Sequence, residues 1–236
     1  LALHCHGGYK SHGFERIARG RREPGPILRG QITYYDSVFW ANEMAKKGYA
    51  VLAHDVYAFG SRRVRVEDVP PEIRWGCRPS SLGTQEEVNA YNHWASSHES
   101  VMAKSLFSAG TTWPGVVLAE DQRALDVLEK LPGVDSRRLG CCGLSGGGLR
   151  SVYLAGLDDR IACSVGAGFM TTWKDLVLDK SWTHTWMCYG PGIPAELDFP
   201  EILGLRAPKP SLVLNCSGDA LFSLPEMRRS DRMLKE

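Results

Sequence analysis

The chain has 236 residues, with 28 Lys and Arg against 27 Asp and Glu, and 43 % of its residues are apolar. That length and balance fit one large or two small domains with enough core to need no disulfide or metal, and they exclude a disordered chain or a coiled coil. A net charge of +1 calls for no nucleic acid or anionic membrane partner, and no apolar run approaches the roughly 18 residues of a membrane-spanning helix.

The elements alternate along the chain. Residues 1–5 are a short apolar run ending in His6-Gly7-Gly8. Asp36 or Ser37 is placed to cap a helix running to Lys47, closed by Gly48. Residues 49–53 form a second apolar run, ending in His54-Asp55. Residues 56–115 are mixed and read as a long excursion with one or two short helices. Residues 117–131 are helical by periodicity, with Leu118, Leu125 and Leu128 on one face, and Pro132-Gly133 ends them. A third strand is expected over 138–143, a helix over 146–156, a fourth strand over 161–165 and a fifth over 211–216. Residues 169–208, rich in Trp, Pro and Gly, show no sheet pattern. Ser223-Leu224-Pro225-Glu226 has capping-box spacing at the start of a last helix.

Short apolar strands alternating with amphipathic helices predict an α/β fold: a mostly parallel sheet with helices on both faces. The sequence reads as one domain over 1–236, with 56–115 and a cap-like 169–208 inserted in it. Active sites of such sheets lie at the carboxyl ends of the strands. The seven cysteines are odd in number and lack paired metal-ligand spacing. Cys5, Cys141, Cys142, Cys163 and Cys216 lie in apolar runs and read as small hydrophobes of a reduced protein, which favours a cytoplasmic setting. Residue 1 is Leu within an apparent strand, no signal peptide is visible, and 226–236 reads as a helix that simply stops. A fragment cut at both ends is the expectation.

Chemistry enters at three strand ends. Gly143-Leu144-Ser145-Gly146-Gly147 is G-x-S-x-G, following a strand and opening a helix. A turn that sharp admits only Gly two residues either side of the serine and leaves the hydroxyl exposed above the sheet. The helix N-terminus supplies N–H donors for developing negative charge. Ser145 is therefore the candidate nucleophile. The competing reading, a phosphate-cradling loop, lacks both G-x-G-x-x-G and G-K-[ST]. His6-Gly7-Gly8 follows an earlier strand, where this architecture places its second oxyanion donor. Gly146 and Gly8 are the chosen donors, with Gly7 or Tyr9 as alternatives, and His6 reads as a brace for the loop. Asp219, after the fifth strand, fits the acid in the chain order Ser, Asp, His. All seven histidines precede it, so the base is expected beyond residue 236; His184 is the lesser candidate. Asp121 lies on the apolar face of its helix and reads as an anchor to a partner such as Arg. Trp173, Trp182, Trp186 and Tyr189 fit an acyl or sugar pocket, and equally the ordinary packing of a cap.

These motifs resemble the α/β-hydrolases, and within them the dienelactone hydrolase and acetyl xylan esterase-like group. The resemblance runs through LHCHGG (3–8), YAVLAHD (49–55), the stretch 120–148 that contains the elbow, GFMTTWKDL (168–176), HTWMCYGPG (184–192) and PSLVLNCSGDALF (210–222). It implies an eight-stranded sheet with two strands before residue 1, and a final strand and the catalytic His after residue 236. It places nucleophile on Ser145, acid on Asp219 and oxyanion donors on Gly146 and Gly8. The expected activity is hydrolysis of carboxylic esters through an acyl-enzyme, with a small-molecule or carbohydrate ester as substrate and no metal or organic cofactor. The alternatives are a peptidase of the prolyl-oligopeptidase kind and a non-catalytic binding module on the same scaffold. Without its base the chain 1–236 is expected to be nearly inactive. The oligomeric state is left open.

Overall fold

A computed structural model describes residues 1–20, 28, 30, 32–78 and 82–236. The sheet has four parallel strands in the order β1 (Ala2–Leu3), β2 (Leu139–Leu144), β3 (Ile161–Ala167) and β4 (Ser211–Leu214). Parallel neighbours require crossovers, and helices supply them. β2 is central and pairs on both sides: Leu3 lies opposite Gly143, and Gly143 opposite Gly166. Its side chains alternate between buried and half-buried, as expected of a strand covered on both faces.

The run 49–53 departs from expectation. It meets the sheet only through an Ala2–Ala53 bridge and an Ala2 N–H bond to the Leu52 carbonyl (2.8 Å). The reason lies in β1. After Leu3 the chain leaves the ladder, and the Cys5 N–H goes to the Tyr35 hydroxyl (2.9 Å). A two-residue strand offers a neighbour almost nothing to pair with.

The helices of six residues or more among the described residues are α1 (Trp40–Lys46), α2 (Gln85–Ser97), α3 (Glu99–Ser108), α4 (Trp113–Leu128), α5 (Gly146–Leu157), α6 (Phe199–Gly204) and α7 (Leu224–Met233). Asp36 and Ser37 do not cap α1; both turn with positive φ, and Phe39 stands at the cap position. α4 begins a turn earlier than its periodicity suggests. Thr112 accepts the Gly115 N–H (3.0 Å), and Pro114 occupies the first turn, where its missing N–H costs nothing. At α7 the capping box does not form. The Glu226 carboxylate is drawn away by the Thr172 hydroxyl (2.6 Å) and Lys174 (2.9 Å).

α5 is buried almost throughout, between the sheet, α4 and α6. Its Arg150 forms a two-pronged pair with Asp121 of α4 (3.0 and 2.6 Å). His54 also bonds Asp121 (2.8 Å), and Arg150 reaches the His4 carbonyl (3.2 Å). Burial pushes the Asp121 carboxyl up, but Arg150 and His54 outweigh it and hold it below the usual range. The expected anchor is thus an ion pair fastening α4 to α5 and to the segment after β1.

The 56–115 excursion holds α2 and α3 and a small core of its own around Val66, Tyr91, Trp94 and Ala95. α2 opens with a complete Thr84–Glu87 capping box. Residues 169–208 carry short helical turns and no strand. β4 is paired on one side only, and Leu212 and Leu214 are about half exposed, at 51 % and 50 %. No helix among the described residues is long and apolar enough to cross a membrane.

Candidate active site

Ser145 ends β2 and stands at the cap position of α5 with φ 55° and ψ −115°. A non-glycine residue in that region costs on the order of 1–3 kcal/mol and persists only where its surroundings impose it. Here they do. The Ser145 N–H donates to the Ala167 carbonyl of β3 (2.7 Å), and its carbonyl accepts the Leu149 N–H (2.9 Å). A Cβ on Gly143 would run into the Gly147 backbone, and one on Gly147 into the Leu3 carbonyl. The turn closes only because both positions are glycine. The serine hydroxyl does not cap the helix, and among the described residues it makes no hydrogen bond.

It faces a cavity of about 430 Å³. Ser145 and Gly146 form one part of the lining, and His6, Gly7 and Gly8 another. The loop after β1 presses close to the elbow: a Cβ on Gly146 would lie 2.7 Å from the His6 backbone nitrogen. Ser96, Thr183, His184 and Thr185 make a polar wall, and Phe169, Leu221 and Phe222 an apolar one. The structure therefore brings the two predicted oxyanion segments together around the predicted nucleophile.

Within the loop the hydrogen bonds bear on the choice between Gly8 and Gly7 as donor. The Gly8 N–H donates to Nδ1 of His6 (3.1 Å), so it is already engaged. The Gly7 N–H has no partner among the described residues, and Gly7 lines the same cavity. Arg16 lies fully buried beneath the loop and donates to the Cys5 and His6 carbonyls. A Cβ on Gly7, whose φ is +55°, would meet its guanidinium at 2.8 Å.

His6 does brace the loop. Its Nε2 lies 2.8 Å from Glu99 Oε1, and its Nδ1 accepts from Gly8. Burial and the neighbouring Lys10 ammonium push the His6 pKa down against the pull of Glu99. Asp219 sits half-exposed after β4, accepting the Leu221 N–H (2.9 Å). It does not itself line the cavity, but Leu221 does. His184 lines the cavity, packs on Phe222 with ring centroids 4.8 Å apart and bonds Thr183 Oγ1 through Nδ1 (2.6 Å). Burial lowers its pKa, against the opposing pull of the Lys180 carbonyl, Asp175 and Asp219. Among the described residues no hydrogen bond joins Ser145 to a histidine.

None of the four cap aromatics lines this cavity, which corrects their reading as pocket walls. Trp173 is buried, stacked on Phe199 at 4.1 Å, with its indole N–H on the Leu197 carbonyl (3.0 Å). Tyr189 anchors its hydroxyl on the Leu176 carbonyl (2.9 Å). Trp182 points outward, 76 % exposed, and Trp186 is 43 % exposed. Composition marked these rings as a cluster but could not say which way they face. Two residues escaped sequence reading: Glu99, a buried charge that lines the cavity, and Lys10, a buried charge paired with it. A buried Lys four residues after His6 leaves no local sequence signal.

No protein-family profile matches the chain. Over 218 residues it is 26 % identical to YtaP, a protein of Bacillus subtilis strain 168 named as a hydrolase, covering 91 % of this chain and 58 % of that one. Its backbone superposes on a Bacteroides fragilis NCTC 9343 protein described as an acetyl xylan esterase, with TM-score 0.61 and 20 % identity, over 99 % of this chain and 56 % of that one. A glucuronoyl esterase of Solibacter usitatus matches over 51 % of this chain and 34 % of its own, with TM-score 0.43 and 19 % identity, too distant to carry an argument. The chain thus spans somewhat over half the length of the Bacillus subtilis and Bacteroides fragilis proteins. The parallel sheet, the strained serine between β2 and α5 and the superposition together establish that the chain has the α/β-hydrolase fold.

Proposed function

We propose that the protein is a serine hydrolase that cleaves carboxylic esters. The observation that carries this reading is Ser145, held with positive φ at the N-terminus of α5, its hydroxyl unbonded and facing the cavity. In the reaction Ser145 Oγ attacks the ester carbonyl carbon while its proton passes to a histidine base. The carbonyl oxygen becomes an oxyanion. The N–H of Gly146 and a loop N–H, which we assign to Gly7, receive it. The tetrahedral intermediate collapses, the alcohol leaves with the proton, and the acyl group stays on Ser145. Water then releases it by the same steps. Asp219 is the residue we assign to orient the base. Among the described residues none of the histidines is hydrogen-bonded to Ser145.

The substrate class we propose is an acetyl ester of a carbohydrate. It rests on the acetyl xylan esterase that shares the fold and on the cavity itself. The apolar wall at Phe169 and Phe222 suits a small acyl group, and the Ser96 hydroxyl suits a polyol. Intact-mass labelling of the full-length protein with a fluorophosphonate, beside Ser145→Ala, tests the class. One adduct, lost in the variant, is expected. No adduct on folded protein would favour the binding-module alternative.

A further inference from the structure

Glu99 opens α3, where a carboxylate is favoured by the helix N-terminus. It is 5 % exposed and makes four polar contacts with two other segments of the chain. Oε1 receives His6 Nε2 (2.8 Å) and the Lys10 ammonium, both from the loop after β1. Oε2 receives the Thr185 hydroxyl (2.6 Å) and the Trp186 N–H (2.9 Å), both from the opposite wall of the cavity. A single carboxylate therefore spans the loop that faces Ser145 and the segment that faces the loop.

The His6 contact fixes more than a distance. Nδ1 accepts the Gly8 N–H, so the ring proton of the neutral imidazole resides on Nε2 and points at Glu99. Without that acceptor the ring is free to rotate, the Gly8 bond is released, and the loop loses the constraint that sets the Gly7 N–H against the cavity. The Lys10 ammonium, 3.1 Å from the same ring nitrogen, is neutralised by the same oxygen. Charge-assisted bonds in a buried setting are the stronger kind and hold geometry closely.

We infer that Glu99 is the positioning residue of this site: its two carboxylate oxygens hold the oxyanion loop and the 183–188 segment in one fixed relation across the cavity. The inference rests on the reading of Ser145 as nucleophile for its catalytic meaning, but its structural half stands alone. Glu99 lines the cavity, but both of its oxygens are taken up within the protein. Its work is done through His6, Gly8 and Thr185.

Hydrogen exchange of the full-length protein, read by mass spectrometry beside Glu99→Gln, separates the two halves. In the variant, peptides covering 5–10 and 183–188 are expected to exchange at least about tenfold faster together, with the peptides of β2 and β3 unchanged. On p-nitrophenyl acetate, kcat is expected to fall by about 10²–10³, the cost of a lost oxyanion donor, with KM within about twofold. Unchanged exchange in either peptide, or a loss confined to KM, overturns the inference. Absence of turnover in the wild type sinks the hydrolase reading instead, and the exchange result still decides for or against the clamp. If Glu99→Gln does not fold, Thr185→Val removes one of the two contacts of the far arm, together with the acceptor of the Met187 N–H, and leaves the Trp186 N–H in place. Faster exchange at both 183–188 and 5–10 is then expected, and a change confined to 183–188 overturns the coupling.

Discussion

The elbow at Ser145 and the loop at 6–8 meet at one cavity, yet different forces hold them. The elbow is fixed by backbone sterics: Gly143, Gly147 and the Leu3 carbonyl leave one path for the chain, and every part lies within a few residues or on the neighbouring strand. The loop is fixed by long-range polar contacts. Arg16 lies below it, and Glu99 reaches it from 93 positions away in sequence. The first arrangement tolerates changes of charge but no added methyl group. The second depends on charges that lie far from it in sequence.

The largest effect should come from breaking the elbow. Gly147→Ala puts a methyl group into the Leu3 carbonyl, and the strand–helix turn cannot close around it. Fluorophosphonate labelling should fall by at least about 10³, beyond the loss of a single oxyanion donor. Labelling within tenfold of wild type would show that the turn is not sterically fixed.

Next comes the polar scaffold behind both regions. Asp121→Ala leaves Arg150 buried without its carboxylate, and removing one partner of such a pair typically costs about 3–5 kcal/mol. Urea denaturation should show it as a lower midpoint with an unchanged slope. A cost below 1 kcal/mol would mean Arg150 finds compensation elsewhere.

Acid should act on the loop more than on the elbow. Glu99 is held at about 2, below its ordinary 4.5: burial pushes it up, but His6 and Lys10 outweigh burial. A carboxyl lowered in the folded state contributes stability above its unfolded value and loses it as pH falls through the folded one. Between pH 4.5 and 2 the protein should lose roughly 3 kcal/mol from this group. Melting curves over that range should fall more steeply in wild type than in Glu99→Gln; parallel curves would remove Glu99 from the account.

The cap aromatics divide into one large effect and one that is the smallest of all. Trp173→Ala empties a packed core site and should cost about 3–5 kcal/mol, whereas Trp182→Ala, on the surface, should stay within about 0.5 kcal/mol. Equal losses in thermal melts would contradict the placement of these rings.

The same contrast explains what the sequence disclosed. G-x-S-x-G between an apolar run and a helical run announces itself, because the sterics that form the elbow are local. The helices read over 117–131 and 146–156 are legible for the same reason, apart from the first turn of α4, as is the need of Asp121 for a partner. Residues 49–53 have strand composition, but the ladder they would join ends after Leu3, which composition does not record. Glu226 has capping-box spacing, but Thr172, 54 positions away, claims it. Glu99 and Lys10 were invisible because their partners lie 86 to 93 positions away.

The central claim is an activated Ser145. The most direct test is intact-mass analysis of the full-length protein after fluorophosphonate treatment, beside Ser145→Ala. The account predicts one adduct on the wild type and none on the variant. A folded wild type that takes up no label, or a variant labelled as fast as wild type, would contradict it.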